Sequence, residues 1–494
     1  MRYVLAIDQG TTSTRAVLFD QNGRQTSVSQ KEFTQIFPQT GWVEHDAEEI
    51  WETVISTVKT VTADIDTEEI AGLGITNQRE TAVLWDKNTG KPVVNAICWQ
   101  SRQSDTVCEA LRREGLEEMI RERTGLLIDP YFSATKIRWV FEQYPDIYER
   151  ALKGEILFGT IDTWLIWKMT GGTVHATDHT NASRTLIYNI HTLSWDAELL
   201  NLFQIPLCIL PQVKPSAGNF GFTDPACFAG IKTAIAGVAG DQQAALFGQG
   251  CVTPGTAKST YGTGCFMLMH TGSKPVKSSC GLITTLACSF EEQISYALEG
   301  SVFIAGSAIS WLKDGMMMIE NPSESETLAR SVPDSGGVYL VPAFTGLGAP
   351  YWDMNARGAV FGITRGTTKA HFVRAALEAL AYQTRDIFSA MEKDAGIRLD
   401  MVKVDGGAAR NNLLMQFLSD ILGVKIIRPQ DTESTVRGAA YLAGLATGFW
   451  SNLEALFEAA SESGEFIPEM DRKKADALYE GWEAAAASAC TFHR

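Results

Sequence analysis

Basic charge is scarce in this 494-residue chain, where 42 Lys and Arg stand against 58 Asp and Glu for a formal net charge of −16. Nucleic acids and anionic membranes both need an electropositive face, so neither is an expected partner, and any polyphosphate would have to be gripped locally. No apolar run is long enough to span a bilayer, and MRYVLAIDQG enters a strand pattern without a charged-then-apolar leader, so a cytoplasmic location is expected. The nine cysteines are odd in number and never spaced C-x-x-C, which argues against both a disulfide framework and a zinc site. Walker A, H-R-D and D-F-G patterns are missing as well. P-loop and protein-kinase chemistry are thereby excluded. No Pro- or Ser-rich linker divides the chain, so its parts should be joined by packed connections.

At this length, with 45% hydrophobic residues, one core is too few, and two large domains are expected, 1–250 and 251–494. The most informative stretch is VLAIDQGTTSTRAVLFDQNG at 4–23: an apolar strand stopping at Asp8, a short polar turn, and a returning strand from Arg15 to Phe19. Asn22-Gly23 then signals a further hairpin. A Gly/Thr/Ser turn between strands offers converging N–H groups and hydroxyls to a phosphate, and an acid at its rim suits hydrated Mg2+. On these residues alone an ordinary polar hairpin fits equally well.

Asp46-Ala-Glu-Glu49 reads as an N-cap with a carboxylate at N3, ahead of Ile50, Val54, Val58 and Val61 at helical spacing. Two short strands follow around Asn77-Gln78-Arg79-Glu80, where the charged pair could also be a surface ion pair of little energetic weight. Three strands, a helix and further strands is the opening order of a ribonuclease-H-like domain. TAIAGVAGDQQAALFGQG (233–250) places Asp241 where Asp8 stands, at the carboxyl end of a strand, the position at which open α/β sheets bind ligands. The order then starts again: Tyr261-Gly262-Thr263-Gly264 resembles Gln9-Gly10-Thr11-Thr12, a weak internal repeat. MVKVDGGAARNN (401–412) reads as strand, Asp, Gly-Gly and helix, a backbone able to pass close to a nucleotide.

YFSATKIRWVFEQ (131–143) and GAVFGITRGTTKAHFVRAALE (358–378) carry the spacing of the two signatures of the FGGY carbohydrate kinases. With GWVEHD at 41–46, ITNQRE at 75–80, WQSR at 99–102 and GDQQAALFGQ at 240–249, the chain resembles the glycerol-phosphorylating members of that family over nearly its whole length. The resemblance implies two actin-like domains around a central cleft, ATP and Mg2+ in the cleft, glycerol as acceptor in glycerol catabolism, and an assembly of two or four copies. It further implies that Asp8 serves the metal and that Gly10, Thr11, Thr12, Ser13 and Arg15 meet the phosphates. The glycerol pocket would be Arg79, Glu80, Trp99, Tyr131, Asp241, Gln242 and Phe266, with Asp241 as general base. The nucleotide side would be Thr12, Thr263, Gly306, Ser310, Gly407 and Asn411. Two departures bear on regulation and binding. Ser310 stands where Gln is frequent in the family, and 219–230 lacks both the His that some relatives phosphorylate and the Gly-Lys-Gly-Gly-Thr-Arg loop that binds fructose 1,6-bisphosphate. The competing readings are a sister kinase acting on another sugar or polyol, and a filament-forming or chaperone-type ATPase of the same superfamily.

Overall fold

A computed structural model describes residues 2–290, 293–353, 355–430, 433–451, 454, 457 and 463–492. The first apolar run forms β1 (Tyr3–Gln9) and returns as β2 (Ser13–Phe19), antiparallel with Asp8 opposite Arg15. Asp20 Oδ1 accepts the Asn22 N–H at 2.8 Å and closes the next turn into β3 (Gln25–Glu32), the hairpin that Asn22-Gly23 predicts. In α1 (Ala47–Val61), Asp46 caps the helix by accepting from Glu48 and Glu49 N–H groups. Glu49 does not reciprocate as a capping box would. Its Oε1 takes the N–H and hydroxyl of Thr34 instead, both at 3.0 Å, tying the helix start to the end of β3. Ile50, Val54 and Val58 are wholly buried, each contributing roughly 1.5–3 kcal/mol of apolar transfer.

β4 (Ile70–Asn77) runs parallel to β1, and β5 (Ile235–Gly240) parallel to β4, giving a five-stranded sheet ordered β5-β4-β1-β2-β3. Between β4 and β5 lie smaller elements, among them α2 (Ser133–Gln143) and the strand–helix pair Ile156–Gly159 and Ile161–Met169. α3 (Asp241–Gly248) follows β5 directly.

The second sheet is built from β6 (Ala257–Tyr261), β7 (Cys265–Gly272), β8 (Ile283–Leu286), β9 (Tyr296–Val302), β10 (Met401–Asp405), β11 (Lys425–Pro429) and β12 (Ser463–Phe466), ordered β8-β9-β7-β6-β10-β11-β12. Its inner five strands, β9-β7-β6-β10-β11, repeat β3-β2-β1-β4-β5 in order and in every strand direction. The faint echo between residues 9–12 and 261–264 is therefore a repeat of topology, with a polar turn at the same corner of each sheet. Helices α4 (Gly306–Asp314), α5 (Lys369–Ala395) and α6 (Asn412–Leu422) cover the second sheet.

One helix crosses between the halves. α7 (Ser434–Ala446) comes after β11, yet it packs Val436, Ala440, Tyr441 and Ala443 against Val4, Ala6, Val17 and Phe19 of the first sheet. The approach to the sheet is close because residues 74 and 237 on its strands are glycine, where a Cβ would lie 2.2 Å from the Ala439 carbonyl oxygen and 2.5 Å from the Ala443 nitrogen; Gly438 in turn lets α7 press on α3, a Cβ there lying 1.9 Å from the Ala244 carbonyl oxygen. Among the described residues no helix is long and apolar enough to cross a membrane.

Candidate active site

Five charged side chains converge at the carboxyl ends of β4 and β5. Arg79 leaves the end of β4 with its side chain only 2% exposed. It has room to do so because residue 240 is glycine; a Cβ there would stand 2.7 Å from its Cγ and Cδ. Its Nε lies 3.1 Å from Asp241 Oδ1 and 3.8 Å from Glu80 Oε1. Nη1 donates to Glu299 Oε2 at 2.6 Å and Gln243 Oε1 at 3.2 Å, and Nη2 to Glu299 Oε1 at 3.2 Å and the Tyr131 hydroxyl at 3.4 Å. Arg184 stacks over the rings of Tyr131 and Phe132 and donates to Glu80 Oε1 at 2.5 Å and Glu299 Oε1 at 2.9 Å. Glu80 and Arg79 are thus a buried pair, and the surface alternative is discarded.

The two glutamates respond differently to this setting. Burial alone would raise Glu299, but the guanidiniums of Arg184 and Arg79 outweigh it and bring the carboxyl down to about 2. Burial keeps Glu80 above its usual range, since Arg184 and Arg79 compensate it less completely and Glu299 repels it. Glu80 also sits at φ 61°, a left-handed backbone that a non-glycine residue adopts only where its surroundings impose it.

Aromatic rings close the other side. Trp99 meets Tyr131 edge-on at 5.4 Å between centroids and Phe266, from β7, at 6.3 Å. The Trp99 indole N–H donates to Thr11 Oγ1 at 2.9 Å, so the wall is tied to the turn after β1. Asp241 is the first residue of α3 rather than its cap. Gly240 caps the helix, while Asp241 accepts the N–H of Gln242 at 2.7 Å and its side-chain amide at 3.2 Å. The Asp241 side chain keeps 30% exposure, open to the cleft. Asp8 faces it: burial lifts its carboxyl to about 7, with Arg15 offsetting and Asp241 adding to the rise.

The turn 10–13 is closed by the Gly10 N–H to the Ser13 carbonyl at 2.9 Å, with Thr12 exposed at its tip. Arg15 is already engaged, through Gln30 at 2.8 Å and Glu433 from beyond β11. A phosphate would have to compete with those partners for it. Thr263, Gly306, Ser310, Gly407 and Asn411 all line a single cavity of about 880 Å³ at the carboxyl ends of β6 and β10. Asn411 caps α6 there by accepting the Leu414 N–H.

Several participants are not evident from the chain read in order. Arg184, Glu299, Gln243 and Lys258 lie around Arg79 and Asp241; Lys258, wholly buried, donates to Gln242 Oε1 at 2.5 Å and Thr260 Oγ1 at 2.8 Å. Asn321, Ser325, Glu326 and Arg410 join the cavity lining. Glu299 did leave a signal, as the lone charge in the apolar strand YALEGSV.

Two topologically repeated α/β domains, with buried charged groups at one sheet end and an open cavity at the other, define the class of two-domain actin-like ATPases. Residues 3–248 match the N-terminal domain, and 257–447 the C-terminal domain, of the FGGY family of carbohydrate kinases. The chain belongs to that family. It is 58% identical over 490 residues to a glycerol kinase of Carboxydothermus hydrogenoformans, covering 99% of this chain and 98% of that one. Among solved structures it superimposes on the Plasmodium falciparum glycerol kinase with ADP at a TM-score of 0.92 and 37% identity, over 99% of this chain and 98% of that one. A gluconate kinase from Lactobacillus acidophilus, at TM-score 0.89 and 22% identity over 100% and 99% of the two chains, shares the fold.

Proposed function

We propose that this protein transfers the γ-phosphoryl group of ATP to glycerol, giving sn-glycerol 3-phosphate. The observation that carries the reading is the juxtaposition of Arg79, Glu80 and Asp241 with the ring wall of Trp99, Tyr131 and Phe266. A three-carbon triol in a closed cleft needs every hydroxyl bonded and its carbons covered, and this set supplies both. Full-length similarity to glycerol kinases favours the same acceptor over a larger sugar.

In this reading Asp241, partly open and held by Gln242, orients the attacking primary hydroxyl and takes its proton. Gln242 fixes the carboxylate, and Arg79 aligns both the acid and the polyol. The phosphates lie against Gly10, Thr11, Thr12 and Ser13, with Arg15 released from Glu433 as they enter. The base and ribose occupy the cavity of Thr263, Gly306, Ser310, Gly407 and Asn411. Closure of the two halves upon one another, with α7 carried by the first sheet, would exclude water as a competing acceptor.

Asp8 suits Mg2+. Among the described residues no group of three or more His, Cys, Asp or Glu is placed to hold a metal ion, and in this reading the protein contributes one or two carboxylates. That is what an ion retaining waters and phosphate oxygens takes. Bound, Mg2+ supplies charge neutralisation on the phosphates. Assembly as a homodimer or homotetramer and a cytoplasmic location belong to the same proposal.

The test is ADP release measured across glycerol, dihydroxyacetone, glyceraldehyde, xylulose and gluconate, with the product read by a stereospecific glycerol 3-phosphate dehydrogenase. The reading requires glycerol to dominate kcat/KM. Comparable values for xylulose or gluconate, or a racemic product, would replace it with a broad polyol kinase.

A further inference from the structure

Glu299 belongs to the second sheet, yet each of its strong bonds runs to the first domain. Its carboxylate is 0% exposed and takes three N–H donors from two arginines: Arg79 Nη1 at 2.6 Å, Arg79 Nη2 at 3.2 Å and Arg184 Nη2 at 2.9 Å. Arg184 is itself 0% exposed and anchors Glu80 through Nε. Both residues assigned to the polyol by the preceding reading, Arg79 and Glu80, are therefore held from behind by one arginine and one glutamate that line no open space. We infer that Glu299, acting with Arg184, is a positioning residue for the acceptor site, holding the Arg79 guanidinium in the orientation that leaves Asp241 available to a hydroxyl. The inference rests on Arg79 being a polyol ligand.

Charge and geometry give the reason. Arg79 touches two acids on different sides, Glu299 through its Nη atoms and Asp241 through Nε. A bidentate carboxylate fixes the plane of a guanidinium, and the two N–H···O bonds to Glu299 do so here. Asp241 already meets Arg79 through Nε at 3.1 Å; without Glu299 the Nη atoms, left with Asp241 and Glu80 as their nearest acids, would turn onto the aspartate as well. A bidentate pair would then claim both carboxylate oxygens in place of a substrate hydroxyl. The nucleotide cavity, lined by different residues, is untouched by this change. A purely structural role for Glu299 predicts the opposite, a loss shared by both sites.

The experiment compares Glu299→Gln, Arg79→Gln and the double variant, all confirmed folded by circular dichroism, with glycerol kinetics and fluorescent-ADP binding read in parallel. Glu299→Gln keeps the volume and one acceptor while removing the charge. We expect kcat/KM for glycerol to fall on the order of 100-fold, the scale of a misplaced catalytic array, with the Kd for ADP within about twofold. The loss in the double variant should be no greater than in Arg79→Gln alone, because residues acting as one unit are not additive. If Glu299→Gln fails to fold, Glu299→Asp retains the charge and withdraws it by one methylene. It should then raise the KM for glycerol several-fold and leave that for ATP unchanged. Wild-type glycerol kinetics in either Glu299 variant, alongside an impaired Arg79→Gln, would overturn the inference and spare the acceptor-site reading. Additive losses, or equal losses in glycerol turnover and ADP binding, would also overturn it. Wild-type kinetics in Arg79→Gln would remove the acceptor-site reading itself, and the inference with it.

Discussion

The two sheets share a strand order and place a polar turn at the same corner, but their carboxyl ends are furnished in opposite ways. The first ends in long charged side chains, Arg79, Glu80, Arg184 and Asp241, reinforced by Glu299 and Lys258 from across the cleft and all but Asp241 buried. The second ends in Gly262, Thr263, Gly306, Gly407 and Asn411 around a cavity of about 880 Å³. A small polyol presents only hydroxyls, so it must be recognised by directional side-chain bonds in a tight, low-dielectric space. A nucleotide is large and carries its own charge. It needs room and backbone close enough to bond it, which small residues provide. In the proposed reading the duplicated fold supplies two similar frames, and residue size at the strand ends decides which ligand each can take.

The largest expected effect tests whether chemistry resides at the charged end. Asp241→Asn should lower kcat by at least ~100-fold, the range for loss of a general base, and leave ADP binding intact. A folded variant with near-normal kcat would take Asp241 out of the reaction and dissolve the division of labour between the two ends.

A smaller but sharper effect comes from the substrate. If Arg79, Glu80 and Asp241 each bond a hydroxyl, removing one hydroxyl strands a charged partner at a cost on the order of 1–3 kcal/mol, or about 5- to 150-fold in kcat/KM. Propane-1,2-diol and propane-1,3-diol should both fall in that range relative to glycerol, and xylitol below it by clash with the ring wall. Comparable kcat/KM for glycerol, the two diols and xylitol would sink the glycerol assignment and leave a broad polyol kinase.

Asp8 stands between the two ends, and its predicted behaviour depends on pH. Its carboxyl is raised to about 7, first by burial and further by Asp241, with Arg15 opposing. A raised acid binds its proton more tightly folded than unfolded. The stability this contributes is present in full below the unfolded value of about 4 and is lost as pH rises through about 7. Asp8→Asn should therefore raise the melting temperature of the ligand-free protein by about 2 °C at pH 8, and the gain should vanish near pH 4. The same variant should increase the Mg2+ needed for half-maximal rate, since a neutral amide is a poor ligand for a hard cation. An unchanged Mg2+ titration would reassign Asp8 to a structural role.

Much of this was legible because strand ends announce themselves. An apolar run stopping at Asp8, Asp241 or Asp405 marks the rim of a sheet, and the resemblance carried by ITNQRE, WQSR, YFSATKIRWVFEQ and GDQQAALFGQ names candidate ligand-facing residues. The supporting residues were harder to see. Arg184 lies in NASRTLIY and Lys258 in AKSTY, short segments whose polar residues look solvated until the fold buries them. Their partners are remote in sequence: Arg184 bonds Glu80 and Glu299, 104 and 115 residues away. The path of α7 was equally hidden, because it packs on a sheet built from the opposite end of the chain. Local pattern reports which face of an element is apolar and is silent on which sheet receives it. Asp46 shows the limit at short range: its capping was foreseen, whereas Glu49 found a better partner in Thr34.

The smallest expected effect lies at the cavity end. Ser310 is in the second turn of α4, exposed on the lining of the cavity proposed for the nucleotide. If that end binds mainly through space and backbone, one side chain matters little. Ser310→Gln adds an amide that can reach a bound nucleotide at the cost of ordering a flexible side chain, and a single such hydrogen bond nets only about 0.5–1.5 kcal/mol. The Kd for ADP should tighten about two- to tenfold, with KM for glycerol and kcat unchanged. Calorimetry of ADP binding to the two proteins decides it. A much larger gain would show that the cavity relies on side-chain bonds as the polyol site does, and the contrast between the two sheet ends would then be one of charge alone.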